Sequence, residues 1–377
     1  MTDWIASGEA AQRLGVKRAT LYTYVSRGLL TRRREHGESL FVRHEIDTLA
    51  RDRRHPGAPE GLLQMRSVRS AVSEVREGEL FLRGVPLADL ADEPYADVVD
   101  LVLGGSDVDE LDVPEHLARL PLHRRLPALA QWAGSSRPTA LDAESTGRAA
   151  RGLLDAAPVA LGDHHGRPGH RTALPAALFA ALSGRDGSRA EVATVNTALV
   201  ALVDHGLAAS VVAARVAASA RASAYDCLLA GYAALSGRLH GGIATTAVVT
   251  LRDGPTDDRA PGFGHWRHPD GDPRAEAILA RLALVDGAAP VIGRLEEIAD
   301  RAGRQPNVDG ALAAVILACD LPDDSGEVLF QVGRTPGLAA HVVEELGEDP
   351  LRWRAKDPDA SSAGRAATRW LPGGNVS

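Results

Sequence analysis

The chain has 377 residues, 45% of them hydrophobic, which is typical of a folded protein with on the order of two or three domains and excludes a disordered chain. No apolar run reaches the roughly 18 residues needed to cross a bilayer, and the first residues lack the basic start and apolar stretch of a signal peptide. We therefore expect a cytoplasmic protein without membrane contact, and the net charge of −8 excludes a chain that coats nucleic acid over its whole surface.

Residues 1–54 differ from the rest in charge, since they carry eleven Arg or Lys against seven Asp or Glu. The segment predicts one helix from a cap at Ser7 to Gly15, and a second helix over residues 17–28. The side chains expected to point outward from the second helix, where they could meet DNA, include Arg18, Thr20, Tyr24 and Arg27.

A hairpin is predicted next, because residues 30–34 and 39–43 flank the turn EHGE, and a short helix is expected from His44. This order of elements resembles the small winged helix-turn-helix of the MerR and excisionase type. The resemblance implies that residues 1–54 bind duplex DNA, with the second helix in the major groove and the arginines at 32–34 along the backbone. A helix-turn-helix kept for packing or dimer contact is the alternative.

The rest of the chain has a different organisation. Residues 55–65 are rich in Pro and Gly and are interpreted as a linker. From residue 66 on, Ala-rich amphipathic stretches predict a mainly α body, with one small hairpin expected within residues 70–91. Cys227 and Cys319 lie in apolar segments without CxxC spacing, so buried free thiols are expected rather than a disulfide or a cysteine zinc site.

Five short motifs set a His, Asp or Arg beside Gly or Pro, where irregular backbone can direct the side chain into a cleft. In chain order they are DHGLAAS (204–210), GRLHGGIA (237–244), GFGHWRHPDGDPRA (262–275), PNVDG (306–310) and VGRTPGLAAH (332–341). This ordered set resembles the citrate synthase family over most of residues 66–377. The resemblance implies a mostly helical homodimer in which a large domain, residues 66–240 and 315–377, and a small domain, residues 241–314, close over oxaloacetate and acetyl coenzyme A.

The resemblance also implies a role for each polar side chain of these motifs. His240 would donate to the acetyl carbonyl, Asp309 would remove a methyl proton, and His265 would bind and protonate the oxaloacetate carbonyl. The carboxylates of oxaloacetate would be held by His205, Arg274, Arg334 and Arg354, the last given across the dimer. Acetyl coenzyme A would be a co-substrate, and no metal or permanently bound cofactor is expected.

The chemistry of such a condensation accounts for these residue types. A thioester methyl group is a very weak acid, so a carboxylate can remove its proton only if a positioned donor stabilises the developing enolate oxygen in a dry site. A neutral histidine suits that purpose, and a position beside a helix N-terminus is expected to lower the pKa of His240. A dianionic keto acid favours bidentate guanidinium contacts, which lysine does not reproduce.

Other interpretations stay open for single residues. Asp309 could cap the helix that follows it, and Arg274 and Arg334 could be surface side chains. Trp266 could be a packing residue or a lid over the cleft. The histidines of GDHHGRPGH, residues 162–170, are expected to lie in a solvated loop rather than a metal site, because no Cys or carboxylate partner has matching spacing.

The sequence departs from the family pattern at several positions. Ala, Asn and Glu usually follow LHGG, whereas this chain has residues 243–245 as Ile, Ala and Thr. Where the family often has a basic residue for the coenzyme A phosphate, the chain has Pro269, and Arg267 or His268 could replace it. Coenzyme A binding is therefore the part of the resemblance with the least support.

Three functions are consistent with the sequence. The first is a citrate synthase-type transferase that condenses acetyl coenzyme A with oxaloacetate to citrate and coenzyme A. The second is the same chemistry with propionyl coenzyme A, giving 2-methylcitrate, because one methylene changes preference by only about 1–3 kcal/mol. The third is a DNA-binding transcriptional regulator whose body senses a metabolite. Catalysis is favoured, because the three histidines, Asp309 and both motif arginines are all retained.

Overall fold

The computed structural model of the chain describes residues 4–26, 29–35, 38–54, 68–105, 107–136, 141–162, 174–255 and 260–354. These residues fall into two compact units, which divide at residue 65. Each unit has a hydrophobic core of its own.

The smaller unit combines helices with a three-stranded sheet. Its elements are β1 (Trp4–Ala6), α1 (Ser7–Leu14), α2 (Arg18–Ser26), β2 (Arg32–Glu35), β3 (Glu38–Val42) and α3 (Arg43–Arg54). Strand β3 lies between β1 and β2 and pairs antiparallel with both. Leu21, Phe41 and Ile46 are fully buried at the centre of the core that the sheet and helices share.

The two helices, hairpin and third helix occur in the predicted order, but the prediction for the start of the unit is wrong in two respects. Ala6, not Ser7, occupies the N-cap position of α1, and no side chain caps the helix, because Ser7 is already its first helical residue. The strand β1, which runs directly into α1, was not expected. Gly15 does end the helix, in the left-handed conformation, and its N–H bonds back to the carbonyls of Ala11 and Gln12.

The outward face predicted for α2 is present only in part. Arg18 is exposed, whereas Thr20 is half-buried. Tyr24 is half-buried against the core, so its ring does not point freely outward as predicted. Arg27, the fourth predicted side chain, lies outside the described residues.

The larger unit is mainly helical, as predicted, and the expected hairpin opens it. It contains β4 (Ser73–Arg76), β5 (Glu79–Leu82), β6 (Val85–Pro86), α4 (Leu87–Leu90), α5 (Tyr95–Leu103), a 3-10 helix (Glu115–Arg119), α6 (Leu122–Ser136), α7 (Ala143–Leu161), α8 (Leu174–Ser183), α9 (Arg189–Leu202), α10 (Ala209–Ser219), α11 (Ala224–Leu235), α12 (Ile243–Asp253), α13 (Pro273–Leu282), α14 (Ala289–Ala302), α15 (Val308–Ala318) and α16 (Ser325–Leu346). Within the described ranges, no helix is both long enough and apolar enough to cross a membrane. Cys227 and Cys319 are buried free cysteines, which confirms the prediction for both.

Helix α16 is buried along nearly all of its 22 residues. Two glycines let neighbouring segments approach it closely: a Cβ on Gly333 would lie 2.7 Å from Cβ of Leu202, and one on Gly337 would meet the carbonyl oxygen of Val203. Pro336 has no N–H for the carbonyl of Val332, and the buried hydroxyl of Tyr95 donates to that oxygen instead, at 2.9 Å. The helix is thus held firmly against the end of α9, where the first motif begins.

Candidate active site

Six of the seven side chains predicted for catalysis and substrate binding line one cleft of about 360 Å³ in the larger unit. They come from five separate parts of the chain and are His205, His240, His265, Arg274, Asp309 and Arg334. Local structure explains their positions: most lie in the turns after helices or at helix starts, and only Arg334 lies within a long helix, α16.

The backbone joins the segments that carry His265 and Asp309. The N–H of Gly264 donates to the carbonyl of Gln305 at 2.8 Å, and the N–H of Asn307 donates to the carbonyl of Gly262 at 2.9 Å. Gly262 has a φ of 92°, and a Cβ on Gly310 would collide with its carbonyl oxygen, so both positions need glycine. This close pairing fixes the histidine loop against the start of α15.

Asp309 lies in the first turn of α15 and does not cap the helix. The cap is Asn307, whose side-chain oxygen accepts from the N–H groups of Asp309 and Gly310 at 3.0 and 3.2 Å. The Oδ1 atom of Asp309 is buried without a hydrogen-bond partner among the described residues. Burial raises the pKa of Asp309 to about 7, with Asp272 adding to the effect and Arg274 opposing it. The carboxyl group is therefore available to take up and release a proton near neutral pH.

His240 lies in the turn between α11 and α12. Its Nε2 is 2.9 Å from the hydroxyl of Ser210, and its ring packs edge to face on Phe330 with centroids 5.7 Å apart. Burial lowers the pKa of His240 to about 4, and Arg334 and Arg274 lower it further. The expected neutral state is thus present, with burial and two cations as causes, and His240 lies three residues before the start of α12 at Ile243.

The rings of His205 and His265, which line another side of the cleft, lie beside the ring of His268. The ring of His205 is 5.1 Å from that of His265 and 5.1 Å from that of His268, measured between centroids. Burial, followed by Arg274, lowers the pKa of His265 to about 4 and that of His205 further still. The motif histidines are therefore neutral at pH 7. Each ring can donate one hydrogen bond, and each is a weak base.

Both motif arginines are buried, which rules out the alternative that they are surface side chains. Arg274 forms a bidentate pair with Asp272, the N-cap of α13, with Nε to Oδ1 at 2.9 Å and Nη2 to Oδ2 at 2.8 Å. Burial alone would raise the pKa of Asp272, but Arg274 keeps it below the ordinary value. A buried carboxylate therefore holds this guanidinium in one orientation.

Arg334 depends on a second buried carboxylate. Its Nη1 lies 3.3 Å from Oδ1 of Asp204, and burial lowers the pKa of Arg334 to about 10. Asp204 also accepts from the hydroxyl of Ser73 and from the N–H of Gly206, and its Oδ2 lies 3.3 Å from Nε2 of His341. Burial alone would raise the pKa of Asp204, but His341 and Arg334 lower it below the ordinary value, so the group is ionised.

Sequence reasoning missed these supporting groups, although a signal was present. Asp204 immediately precedes His205 in the first motif, and Asp272 lies two residues before Arg274 in the third. At Asp272 this spacing indicates a carboxylate that could orient Arg274, whereas the position of Asp204 beside His205 does not indicate its pairing with Arg334. His268, considered only as a substitute contact for coenzyme A, is instead buried beside His205.

Trp266, Arg354 and the histidines within residues 162–170 complete the account of the predicted residues. Trp266 is 82% exposed and Leu239 is 95% exposed, and both line the cleft, so Trp266 does not pack in the core. Arg354 is exposed and does not line the cleft. The histidines at 164, 165 and 170 lie outside the described residues, and within the described part of the chain no three His, Cys, Asp or Glu side chains group as metal ligands would.

The cleft therefore combines a carboxyl group that titrates near pH 7, three neutral imidazoles and two buried guanidinium groups. A carboxylate and neutral donors are the groups needed to remove a proton next to a carbonyl and to stabilise the resulting oxyanion. Guanidinium groups recognise carboxylates. The arrangement suits carbon–carbon bond formation on an anionic keto acid.

Comparison with known proteins relates the chain to enzymes that carry out this kind of chemistry. The family model for the citrate synthase C-terminal domain matches residues 159–356. The chain is 30% identical over 212 residues to citrate synthase from Haloferax volcanii and 28% identical over 217 residues to that from Thermoplasma acidophilum; each match covers 50% of this chain and 56% of the relative. The chain thus spans about half the length of the curated relatives it matches.

Solved structures extend the likeness at the level of the fold. Citrate synthase from Thermoplasma acidophilum, solved with carboxymethyl coenzyme A and oxaloacetate, matches with a TM-score of 0.65 and 22% identity, covering 82% of this chain and 97% of that one. Citrate synthase from Pyrobaculum aerophilum matches with a TM-score of 0.66 and 19% identity, covering 91% and 97%. The family model spans more than half of the chain and contains every residue that lines the cleft. The chain therefore belongs to the citrate synthase family.

Proposed function

We propose that the protein condenses acetyl coenzyme A with oxaloacetate and hydrolyses the citryl thioester, releasing citrate and coenzyme A. The observation that carries the proposal is that one cleft gathers His240, His265 and Asp309 from three distant segments, together with two buried arginines. The family relationship supports it, since several relatives are citrate synthases.

Each step has a side chain suited to it. Ionised Asp309 removes a proton from the acetyl methyl group, while neutral His240 donates to the thioester oxygen and stabilises the enolate. The enolate carbon then bonds to the keto carbon of oxaloacetate, and His265 supplies a proton to the resulting alkoxide. Water finally cleaves the thioester bond and returns a proton to His265, while the proton that Asp309 removed goes to the departing thiolate, so that coenzyme A leaves as the thiol.

The substrate carboxylates would be held by Arg274, Arg334 and His205. Oxaloacetate is the substrate bound to the Thermoplasma acidophilum relative, and a dianion fits a cleft with two guanidinium groups whose orientation buried carboxylates fix. Acetyl coenzyme A acts as a co-substrate, with no resident cofactor. We also propose that residues 241–314 form a small domain that closes on a large domain made of residues 66–240 and 315–377.

Release of free thiol from acetyl coenzyme A tests the function directly. The full chain is expected to release thiol only when oxaloacetate is present, and the same assay with propionyl coenzyme A compares the two acyl donors. Faster release from the propionyl donor would replace this proposal by 2-methylcitrate synthesis, the named activity of a relative that is 25% identical. Absence of release from both donors would contradict it.

We propose further that the protein is a homodimer, as the family resemblance implies. In this dimer each subunit would contribute its Arg354 to the cleft of the partner subunit. Its exposed position outside the cleft is consistent with a side chain that acts in a partner subunit. Light scattering should then give twice the 39.7 kDa mass of the chain. Arg354→Ala should raise KM for oxaloacetate, and a monomeric enzyme of full activity would contradict both statements.

Residues 1–54 support a second proposal, namely that the protein binds duplex DNA through a winged helix-turn-helix. All four residues of β2, among them three consecutive arginines, are exposed, and Arg18 of α2 is exposed as well. Cationic side chains on a strand can contact phosphates while an adjacent helix enters a groove. A regulator that senses a metabolite would bind DNA with an affinity that depends on oxaloacetate.

The salt dependence of binding by the full chain tests this proposal. The logarithm of the binding constant should fall linearly with the logarithm of the salt concentration. Replacing the three β2 arginines by Gln should reduce the slope by about 0.9 for each phosphate that they no longer neutralise. Arg294→Gln, which changes a half-exposed arginine of α14 in the other unit, serves as the control. A binding constant that changes neither with salt concentration nor on replacement of the β2 arginines would contradict the proposal.

A further inference from the structure

His268 makes a close contact with a predicted substrate-binding residue. It lies in the irregular segment between His265 and α13 and is only 3% exposed. Its Nε2 is 2.8 Å from Nε2 of His205, which is buried as well. Its ring also lies 5.2 Å from the ring of His265, measured between centroids.

The same segment holds His205 at a second point. Nη1 of Arg267 donates to the carbonyl oxygen of His205 at 3.4 Å. A Cβ on Gly206 would lie 2.9 Å from that Nη1 atom, so the guanidinium packs closely on the backbone after His205. Two consecutive residues, 267 and 268, thus contact both the main chain and the ring of His205.

The contact between the two Nε2 atoms is a hydrogen bond in which a single proton lies between the rings. A neutral imidazole has one nitrogen that donates and one that accepts, so one Nε2 must carry a proton and the other must not. Burial lowers the pKa of both His205 and His268, and the charge of Arg274 lowers both pKa values further. Asp272 opposes the decrease at His268, but the pKa of each ring stays below its ordinary value, so both are neutral near pH 7. The tautomer of either ring therefore determines the tautomer of the other.

We propose that His268 is a positioning residue that orients the ring of His205 and sets which of its nitrogens carries the proton. Of the two arrangements that this contact allows, the proposal is the one in which Nε2–H of His268 donates to Nε2 of His205, so that the proton of His205 is on Nδ1. Among the described residues, none hydrogen bonds to that Nδ1 atom, so it can donate to a substrate carboxylate. The inference rests on the proposed function, because it takes oxaloacetate as the anion.

Two substitutions separate a hydrogen-bonding role from a packing role. His268→Leu removes the partner of His205, whereas His268→Gln places an amide that can donate or accept where Nε2 was. Asp270→Ala, two residues further along the same segment and exposed, is the matched control for disturbance of the loop. All are made in the full chain, and each is measured by calorimetric titration with oxaloacetate and by steady-state thiol release.

His268→Leu is expected to weaken oxaloacetate binding at least about tenfold, the scale for one buried group left without its hydrogen bond. KM for oxaloacetate should rise to the same extent, with KM for acetyl coenzyme A unchanged. His268→Gln should recover most of the affinity, and Asp270→Ala should match the unaltered chain.

Several results would overturn the inference. These are unchanged oxaloacetate affinity in His268→Leu, an affinity of His268→Gln as low as that of His268→Leu, or an equal rise in both KM values. If the unaltered chain binds oxaloacetate but releases no thiol, the condensation fails while the binding data still decide the role of His268. If the unaltered chain does not bind oxaloacetate, both proposals fall.

Discussion

Asp309 is a carboxyl group whose pKa burial raises to about 7. A base must be ionised to accept a proton, so kcat/KM should increase with pH up to about 7 and level off above it. Asp309→Asn removes the proposed base and should lower turnover by at least about a hundredfold, as should His240→Ala, which removes the proposed oxyanion donor. Thiol release between pH 5.5 and 8.5, about the titration range of the carboxyl group, measures both effects.

The same group gives a stability test with a definite sign. The pKa of Asp309 is higher in the folded chain than in the unfolded one, so the folded state loses stability as pH rises from about 4 through about 7. Asp309→Asn removes this loss, so its free energy of unfolding relative to the unaltered chain should increase over that range. Asp323→Asn, at a half-exposed ion pair with Arg252, is the control. A difference independent of pH would contradict the burial argument.

Asp204 supports a different prediction, because it is the buried counter-ion of Arg334. Asp204→Asn would leave the guanidinium buried without its charge partner and should destabilise the chain by about 3–5 kcal/mol, measured by urea unfolding. The pKa of Asp204 is below its unfolded value, so this stabilisation is present above about pH 4 and is lost on acidification. A variant as stable as the unaltered chain at pH 7 would show that the pair is not needed.

Single residues show where prediction from sequence succeeds and fails. The six cleft residues were found because each lies beside glycine or proline in a motif whose order along the chain is informative. The pairing of Arg334 with Asp204 was not found, because these residues are 130 positions apart and only tertiary packing brings them together. The neutral state of His240 was predicted, but its cause was not, since burial and neighbouring charge are properties of the fold.

Helix α16 gives a prediction at the scale of elements. Gly337→Ala would place a Cβ against the carbonyl oxygen of Val203, beside Asp204, so α16 or the end of α9 must move. We expect a loss of stability together with a higher KM for oxaloacetate, because the segment that carries His205 is displaced. Thermal unfolding and steady-state kinetics measure these effects.

Gly293→Ala in the interior of α14 is the matched control. A Cβ there has nothing within 4 Å, so the replacement should stabilise the chain by about 1 kcal/mol through helix propensity alone. Equal effects of the two replacements would mean that the close approach at Gly337 does not restrain α16.

Elements were predicted well where a pattern was long and poorly where it was short. The Ala-rich amphipathic stretches of the larger unit and the hairpin β4–β5 contain enough residues to show a period. Strand β1 has only three residues, Trp4–Ala6, and forms because β3 offers a free edge for pairing, which no local pattern reports. The local pattern predicts a cap at Ser7 for the same reason, because it does not report the strand that precedes the helix.

At the scale of the whole molecule, the two units have separate cores. We therefore expect a substitution in one core to unfold that unit and abolish only the activity that it carries. Phe41→Ala removes a fully buried ring from the small unit and should cost about 3–5 kcal/mol there, enough to unfold a domain of this size. DNA binding by the full chain should then disappear while thiol release continues at its original rate. Loss of thiol release would show that the larger unit depends on the smaller one.

The two buried guanidinium groups of the cleft already have carboxylates of their own, and half-buried Arg267, which lies over the ring of Trp266, adds one further positive charge before any substrate arrives. A dianion entering it adds two negative charges beside Asp309 and would raise the pKa of that group above 7. Protons should therefore be taken up from solution as oxaloacetate binds, and affinity should weaken as pH rises through this range. Titrations in buffers of different ionisation enthalpy would count those protons, and a count of zero would mean that the dianion is neutralised in some other way.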